Sequence, residues 1–346
     1  MSDTLAKADR LLNERGVHRQ LDAFIVAAAF DRTNTAAFAL GDGTVRLAKF
    51  GDENWLTAAA HDGATLAIAA DPSGSGFVSG GDDGGFRRVA TDGTASDIAR
   101  FGMKWVEHVA TFGDDKTRLL ACSVGKNLHL FDPDGTKRKT VEHPSTVTGV
   151  AFDAKGKRFG ASHYGGASLW FVASKTDNPR KLEWKGSHTG IVISPDGENV
   201  VTSMQEASLH GWRLSDGQHM RMSGYPSKTA SMSFSRGGKW LATSGAESIV
   251  LWPFTGGGPM GKAPTELAGG DNVTCTFVAC HPQHDNVAAG FSDGLVVLAD
   301  ISSARILPVC APGRGPISAL AWSENGTTLA LGSETGFAAL VDFTQR

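Results

Sequence analysis

The sequence predicts an all-β fold: an eight-bladed β-propeller whose last blade is completed by a strand from the N-terminus. Three observations carry that expectation. First, one unit recurs along the 346-residue chain, marked by an aromatic or apolar residue at Phe30, Ala70, Phe112, Phe152, Ile193, Phe234, Cys280 and Trp322. These marks stand about 41 residues apart, with one gap stretched to about 46, and a period of that size signals a propeller or solenoid array. Second, each copy reads as short β-rich runs separated by Gly, Asp, Asn and Ser turns, the pattern of an antiparallel meander. Third, the two ends complement each other. The last copy reaches Phe343 with three strands, and a strand-like segment at 18–24 precedes the first copy without a blade of its own. Pairing them seals the ring and removes two open sheet edges.

The elements follow in order. Residues 1–16 read as a short amphipathic helix, with Ser2 or Asp3 as cap, Leu5, Ala8, Leu11 and Leu12 on one face and Gly16 as stop. It either packs beneath the ring near the closing strand or serves a partner. Residues 17–24 supply the closing strand, and eight repeats occupy 24–343 as a single domain. The copy at 143–171 shows the unit: an apolar run ending at Phe152, a polar turn at 153–157, a second run at 158–162, a turn at Gly165 and Gly166, and a third run ending in Trp170 and Phe171. A fourth β-like segment lies between copies, as at 55–59, 138–142, 179–184 and 306–310. One four-stranded sheet cannot bury both faces, so the units must stack around an axis.

Several motifs repeat with the unit. An SPDG turn stands at 194–197, with relatives at 71–74 and 235–238. DGTVRLA begins at Asp42, SLHGW at Ser208 and SIVLW at Ser248, and a histidine precedes three blades at His61, His143 and His188. In these motifs, over nearly all of its length, the chain resembles the WD40 repeat family. The resemblance implies a propeller that binds proteins or peptides on the rim called the top. The sequence also departs from that family. No Trp-Asp dipeptide occurs, and the family's Asp–His–Ser/Thr–Trp set is incomplete. His61, Ser79 and Asp83 are accompanied by Val89 in place of tryptophan, while Tyr164 and Glu206 stand where aspartate is expected. Apolar packing has to replace hydrogen bonds worth about 1 kcal/mol each.

Composition narrows the function. Charges nearly balance, with 33 basic and 36 acidic residues, and both signs are interspersed. A nucleic-acid footprint is therefore not expected. The longest apolar run, 24–30, falls short of a membrane span. Four cysteines without paired spacing suit a reducing cytoplasm. The 43 glycines and abundant alanines point to a bacterium of high genomic GC content. A monomer without a cofactor is expected.

Two motifs imitate chemistry. GGGPMGK at 256–262 has the spacing of a phosphate-binding loop, but Ala263 stands where a hydroxyl would hold Mg²⁺ and Pro264 follows, so it reads as an inserted loop. Cys275, Cys280, His281 and His284 look like a metal set, but Cys275 and Cys280 fall on opposite strand faces and His281 and Pro282 occupy an ordinary turn. No catalytic motif emerges, and no enzyme activity is expected.

The remaining signal is a rim of histidine. His61, His143 and His188 precede blades, His163 lies in a second-to-third-strand turn, and Trp105 and His108 open a first strand. The family resemblance implies a structural role for the first three. His108 and His163 fall outside it and are also candidate metal ligands. The leading expectation is a non-catalytic scaffold that binds a protein or peptide on this rim through Trp105, His108, His163, His61, His143 and His188. A metal- or small-ligand-binding rim and an enzyme site in the channel mouth are the alternatives.

Overall fold

Strands make up nearly all of the regular structure in the computed structural model, which describes residues 9–114, 116–176 and 178–344. The meander expected of each unit is seen in Thr65–Ala70, Phe77–Gly81, Gly85–Val89 and Ala95–Arg100, hydrogen-bonded in that order. Turn chemistry fixes the hairpins. Gly84 adopts φ +76°, and a Cβ there would lie 1.9 Å from the Gly102 carbonyl oxygen. Only glycine tolerates both demands, so this turn is pressed against the loop that leads to the next sheet.

Among the described residues the strands group into seven sheets, six of four strands and one of six, so the expected count of eight blades is corrected to seven. The difference lies between residues 149 and 222, where the segments read as the fourth and fifth repeats share one sheet. Its strands Arg158–Phe171 and Arg180–Ile193 are each 14 residues long. Residues 180–187 of the second pair with 164–169, and residues 188–193 pair with 200–204. Register shifts beside Gly166 and Gly190 absorb the change of partner. The connection WKGSHTG at 184–190 has no proline, whereas Pro144, Pro226 and Pro312 interrupt neighbouring connections. The two halves of the sheet pack on each other through Leu169, Leu182, Val200 and Trp212.

Closure takes place as the ends of the sequence predict, through a strand shorter than 17–24. Gly16–Gln20 runs antiparallel to Phe337–Asp342, with Gly16 opposite Val341 and Gln20 opposite Phe337. The first strands of successive units touch in a closed cycle, and Ile317–Trp322 returns to Ile25–Phe30. Hydroxyl groups on these inner strands reach the carbonyl of the next one. Thr148 donates to His188 at 2.5 Å, Thr276 to Ile317 at 2.6 Å, and Ser318 to Ile25 at 2.6 Å across the seam. Ser318→Ala is expected to lower stability by about 1 kcal/mol in urea unfolding. An unchanged midpoint would mean that the seam bond contributes nothing.

The helix spans Arg10–Arg15; the expected Ser2 or Asp3 cap, Leu5 and Ala8 lie outside the described residues. It sits on the outer strands Ile306–Cys310 and Gly16–Gln20, not beneath the ring. Leu12 is fully buried among Val309, Cys310, Ile317 and Phe337. Asp9 accepts the Ala311 N–H at 2.6 Å and pairs with Arg314 at 2.7 Å, while Arg15 donates to the Thr344 carbonyl at the other end. At Gly16 a Cβ would lie 2.4 Å from the Leu12 carbonyl oxygen, so glycine permits the tight step from helix to strand.

Candidate functional site

Backbone hydrogen bonds tie each second-to-third-strand turn to the loop leading into the next unit, and these ties define one rim. His61 N–H donates to Gly43, Phe101 to Gly84, Val106 to Gly81, His143 to Lys126 and Val147 to Gly125, all at 2.8–3.0 Å. Tyr164 N–H donates to the Ser145 hydroxyl at 2.9 Å, and Gln205 N–H to the Ser187 carbonyl at 2.8 Å. All six candidate residues therefore lie along the same rim, as the family resemblance implies. Their chemistry divides them.

His61 and His188 are committed to the fold. The His61 ring places Nδ1 2.9 Å from Asp83 Oδ1 and Nε2 2.9 Å from Ser79 Oγ. Burial opposes ionisation of Asp83, but the Gly85 N–H, the His61 ring and the Asp62 N–H together hold its carboxyl down at about 2. Burial lowers the pKa of His61 against the pull of Asp83. His188 is fully buried, with Nδ1 2.7 Å from Thr202 Oγ1 and Nε2 donating to the Trp184 carbonyl at 2.9 Å. His163 is buried too, its Nδ1 donating to the Tyr164 carbonyl and its Nε2 meeting the Ser168 hydroxyl, both at 2.9 Å.

His143 differs. Its Nδ1 donates to the Lys126 carbonyl at 3.1 Å and its ring meets Trp170 edge-on at 4.6 Å, yet among the described residues Nε2 is buried without a hydrogen-bond partner. Burial pushes its pKa down to about 4, so at neutral pH that nitrogen is an acceptor with nothing donating to it. His108, half-buried on its inner strand, is likewise pushed down to about 4 by burial. Trp105 and Met103 stand out from the rim at 55% and 86% exposure.

Beside His143 lies a cleft of about 540 Å³, lined by Pro144, Tyr164, Ser168, Leu182 and Glu183 among others. Tyr164 is 66% exposed. The sequence reading treats Tyr164 only as a departure from an expected aspartate. That departure was the signal: an aspartate there would cap its own turn, whereas a tyrosine offers a ring to solvent.

The two imitations of chemistry dissolve. The loop at 256–262 contains no helix, and Lys262 Nζ folds back on the Thr255 and Gly258 carbonyls. Cys275 lies opposite Phe291 and Cys280 opposite Val287, and burial pushes both thiols up to about 12. His281 accepts the N–H groups of Gln283 and His284 and donates to Gly326. Among the described residues no three His, Cys, Asp or Glu side chains converge as a metal set.

No protein-family model matches the chain. The chain is similar to Autophagy-related protein 16 of Arabidopsis thaliana, 23% identical over 361 residues that cover 97% of this chain and 68% of that protein. Among solved structures it resembles the computationally designed Ika8 protein, with a TM-score of 0.75 at 16% identity, covering 94% of this chain and 98% of the other. The ring of sheets and the first similarity together support a propeller of the WD40 type.

Proposed function

We propose that this propeller is a non-catalytic interaction scaffold whose partner, a protein or peptide, docks on the rim between residues 101 and 168. The observation that carries this reading is the display of Met103 and Trp105 on a loop pinned by backbone hydrogen bonds, and of Tyr164 on a strand whose N–H at that residue is held by the Ser145 hydroxyl. Large aromatic side chains held out on rigid supports are what protein interfaces use as anchors. The buried histidines support the rim from below. The similarity to Autophagy-related protein 16 and the propeller fold favour a scaffold over an enzyme. Four free cysteines, three of them buried, accord with a reducing cytoplasm.

Affinity capture from the native lysate tests this reading. Wild type is expected to retain a partner that Trp105→Ala loses, while Phe171→Ala on the opposite rim keeps it. Both side chains are exposed, so stability should stay within about 0.5 kcal/mol. Equal capture by wild type and Trp105→Ala would remove the rim from the account.

A further inference from the structure

Positive charge is concentrated on one part of the outer wall. Among the described residues the outermost strands of the units carry nine Lys and Arg residues, and six of them belong to two segments, KRKTVE at 137–142 and RKLEWK at 180–185. Residues 180–187 pair with 164–169 and form the outer edge of their half of the wide sheet. The two segments are neighbours. Val141 packs with Trp170 and Val172 of the following unit, Lys139 Nζ donates to the Ser174 carbonyl at 2.7 Å, and Glu142 and Lys181 line the same cleft. Lysine on an open strand edge guards against edge-to-edge pairing. That role does not explain this distribution, because Leu56–Ala59 and Thr265–Gly269, equally outermost, carry neither lysine nor arginine.

Little of this charge is neutralised within the fold. Arg138 pairs with Asp132 and Glu142 with Lys126, each at 2.5 Å. Lys137, Arg180, Lys181 and Lys185 are exposed and make no ion pair among the described residues, against the one unpaired carboxylate of Glu183. Over 108–187 there are 13 basic and 8 acidic residues, whereas the whole chain has 33 and 36. The wall is therefore a local positive field on a chain that is otherwise net negative.

We propose that this wall receives an acidic segment of the partner protein, a run of Asp and Glu laid across 137–142 and 180–185 beside the Tyr164 cleft. The inference rests on the scaffold reading above and adds a second contact to it. A six-residue strand spans about 20 Å, so the field has the length of a short peptide. A longer polyanion such as a nucleic acid would run off it onto surroundings of its own sign. A platform for stacking bases is missing as well, since Trp184, the one aromatic residue in the two segments, is stacked on His210 with ring centroids 4.0 Å apart.

Fluorescence anisotropy with fluorescein-labelled hexaglutamate tests the wall. Saturable binding is expected at about 50 mM salt, weakened at least about fivefold at about 300 mM as the charges are screened. The combined variant Lys137→Glu, Arg180→Glu and Lys181→Glu should weaken it at least about tenfold. Three reversals at exposed cations elsewhere, Lys228→Glu, Lys239→Glu and Arg305→Glu, should change it less than about twofold. Absence of saturable binding, or equal losses in the two triple variants, would overturn the inference. So would tighter binding of hexathymidylate, or of vesicles of equal parts phosphatidylcholine and phosphatidylserine, that is lost in the wall variant. If Trp105→Ala loses a captured partner while hexaglutamate fails to bind, the scaffold reading stands and this inference falls. If hexaglutamate binds through the wall while Trp105→Ala captures as wild type does, the wall stands and the rim reading falls.

Discussion

Deleting residues 1–23 is expected to abolish the native ring. The deletion removes the strand Gly16–Gln20 from the edge of Phe337–Asp342 and takes Leu12 out of a closed apolar cluster. It also breaks the Asp9–Arg314 pair, leaving the Ala311 N–H without its carboxylate. Leu12 alone, fully buried, should cost about 2–5 kcal/mol as Leu12→Ala. Whole domains are stable by only about 5–15 kcal/mol, so loss of the strand as well leaves little margin. Thermal unfolding should show the Leu12→Ala transition several degrees below wild type. The deletion should lack a cooperative transition and elute as aggregates, because Phe337–Asp342 becomes an open edge. A deleted chain that melts with wild type would show that the ring does not depend on its N-terminus.

Acidification should weaken the protein well above the range where carboxylates titrate. Burial, aided by the Lys137 charge, pushes His129 down to about 4; burial pushes His143 to about 4; and burial, with His219 nearby, pushes His210 to about 3. All three side chains are buried in the fold. In the unfolded chain a histidine takes up its proton near pH 6.5. Between about 6.5 and 4 the unfolded state therefore binds more protons than the folded one, and stability falls with pH throughout that window. Each group contributes on the order of 2–3 kcal/mol to the loss by pH 4. Urea unfolding at pH 7.5, 6, 5 and 4.5 should show this decline. His129→Phe, which keeps the stack on Phe101 at the cost of the bond to Thr140, should flatten it. Stability that holds level to pH 4.5 would contradict the burial argument. Asp83 acts in a separate window. Its carboxyl, held at about 2, contributes stability above the ordinary carboxylate pKa that is lost only as pH falls from about 4 toward 2.

Periodicity made the ring legible, because a repeat needs only local turn chemistry and alternation to show itself. The seam was legible from the two ends for the same reason. The sheet count was not. Whether a connection breaks or runs on as strand depends on a few residues such as 184–190, where no proline interrupts and Gly186 and Gly190 let pairing shift between neighbours. The trio His61, Ser79 and Asp83 is what the family resemblance implies, and it forms with both ring nitrogens engaged. The difference between His143 and His163 was invisible. Both precede or follow similar turns, and only three-dimensional packing decides that Ser168 reaches one ring while nothing reaches Nε2 of the other. The helix was placed beneath the ring because amphipathicity says which face is buried, not which surface buries it. Cys310, Val309 and Arg314 decide that.

The rim is the centre of this account, and hydrogen–deuterium exchange on the complex with the captured partner tests it most directly. The account predicts protection at 101–108, 142–147 and 163–168, with the opposite rim at 153–158, 194–198 and 281–286 unchanged. Protection confined to that opposite rim or to the outer strands would contradict it.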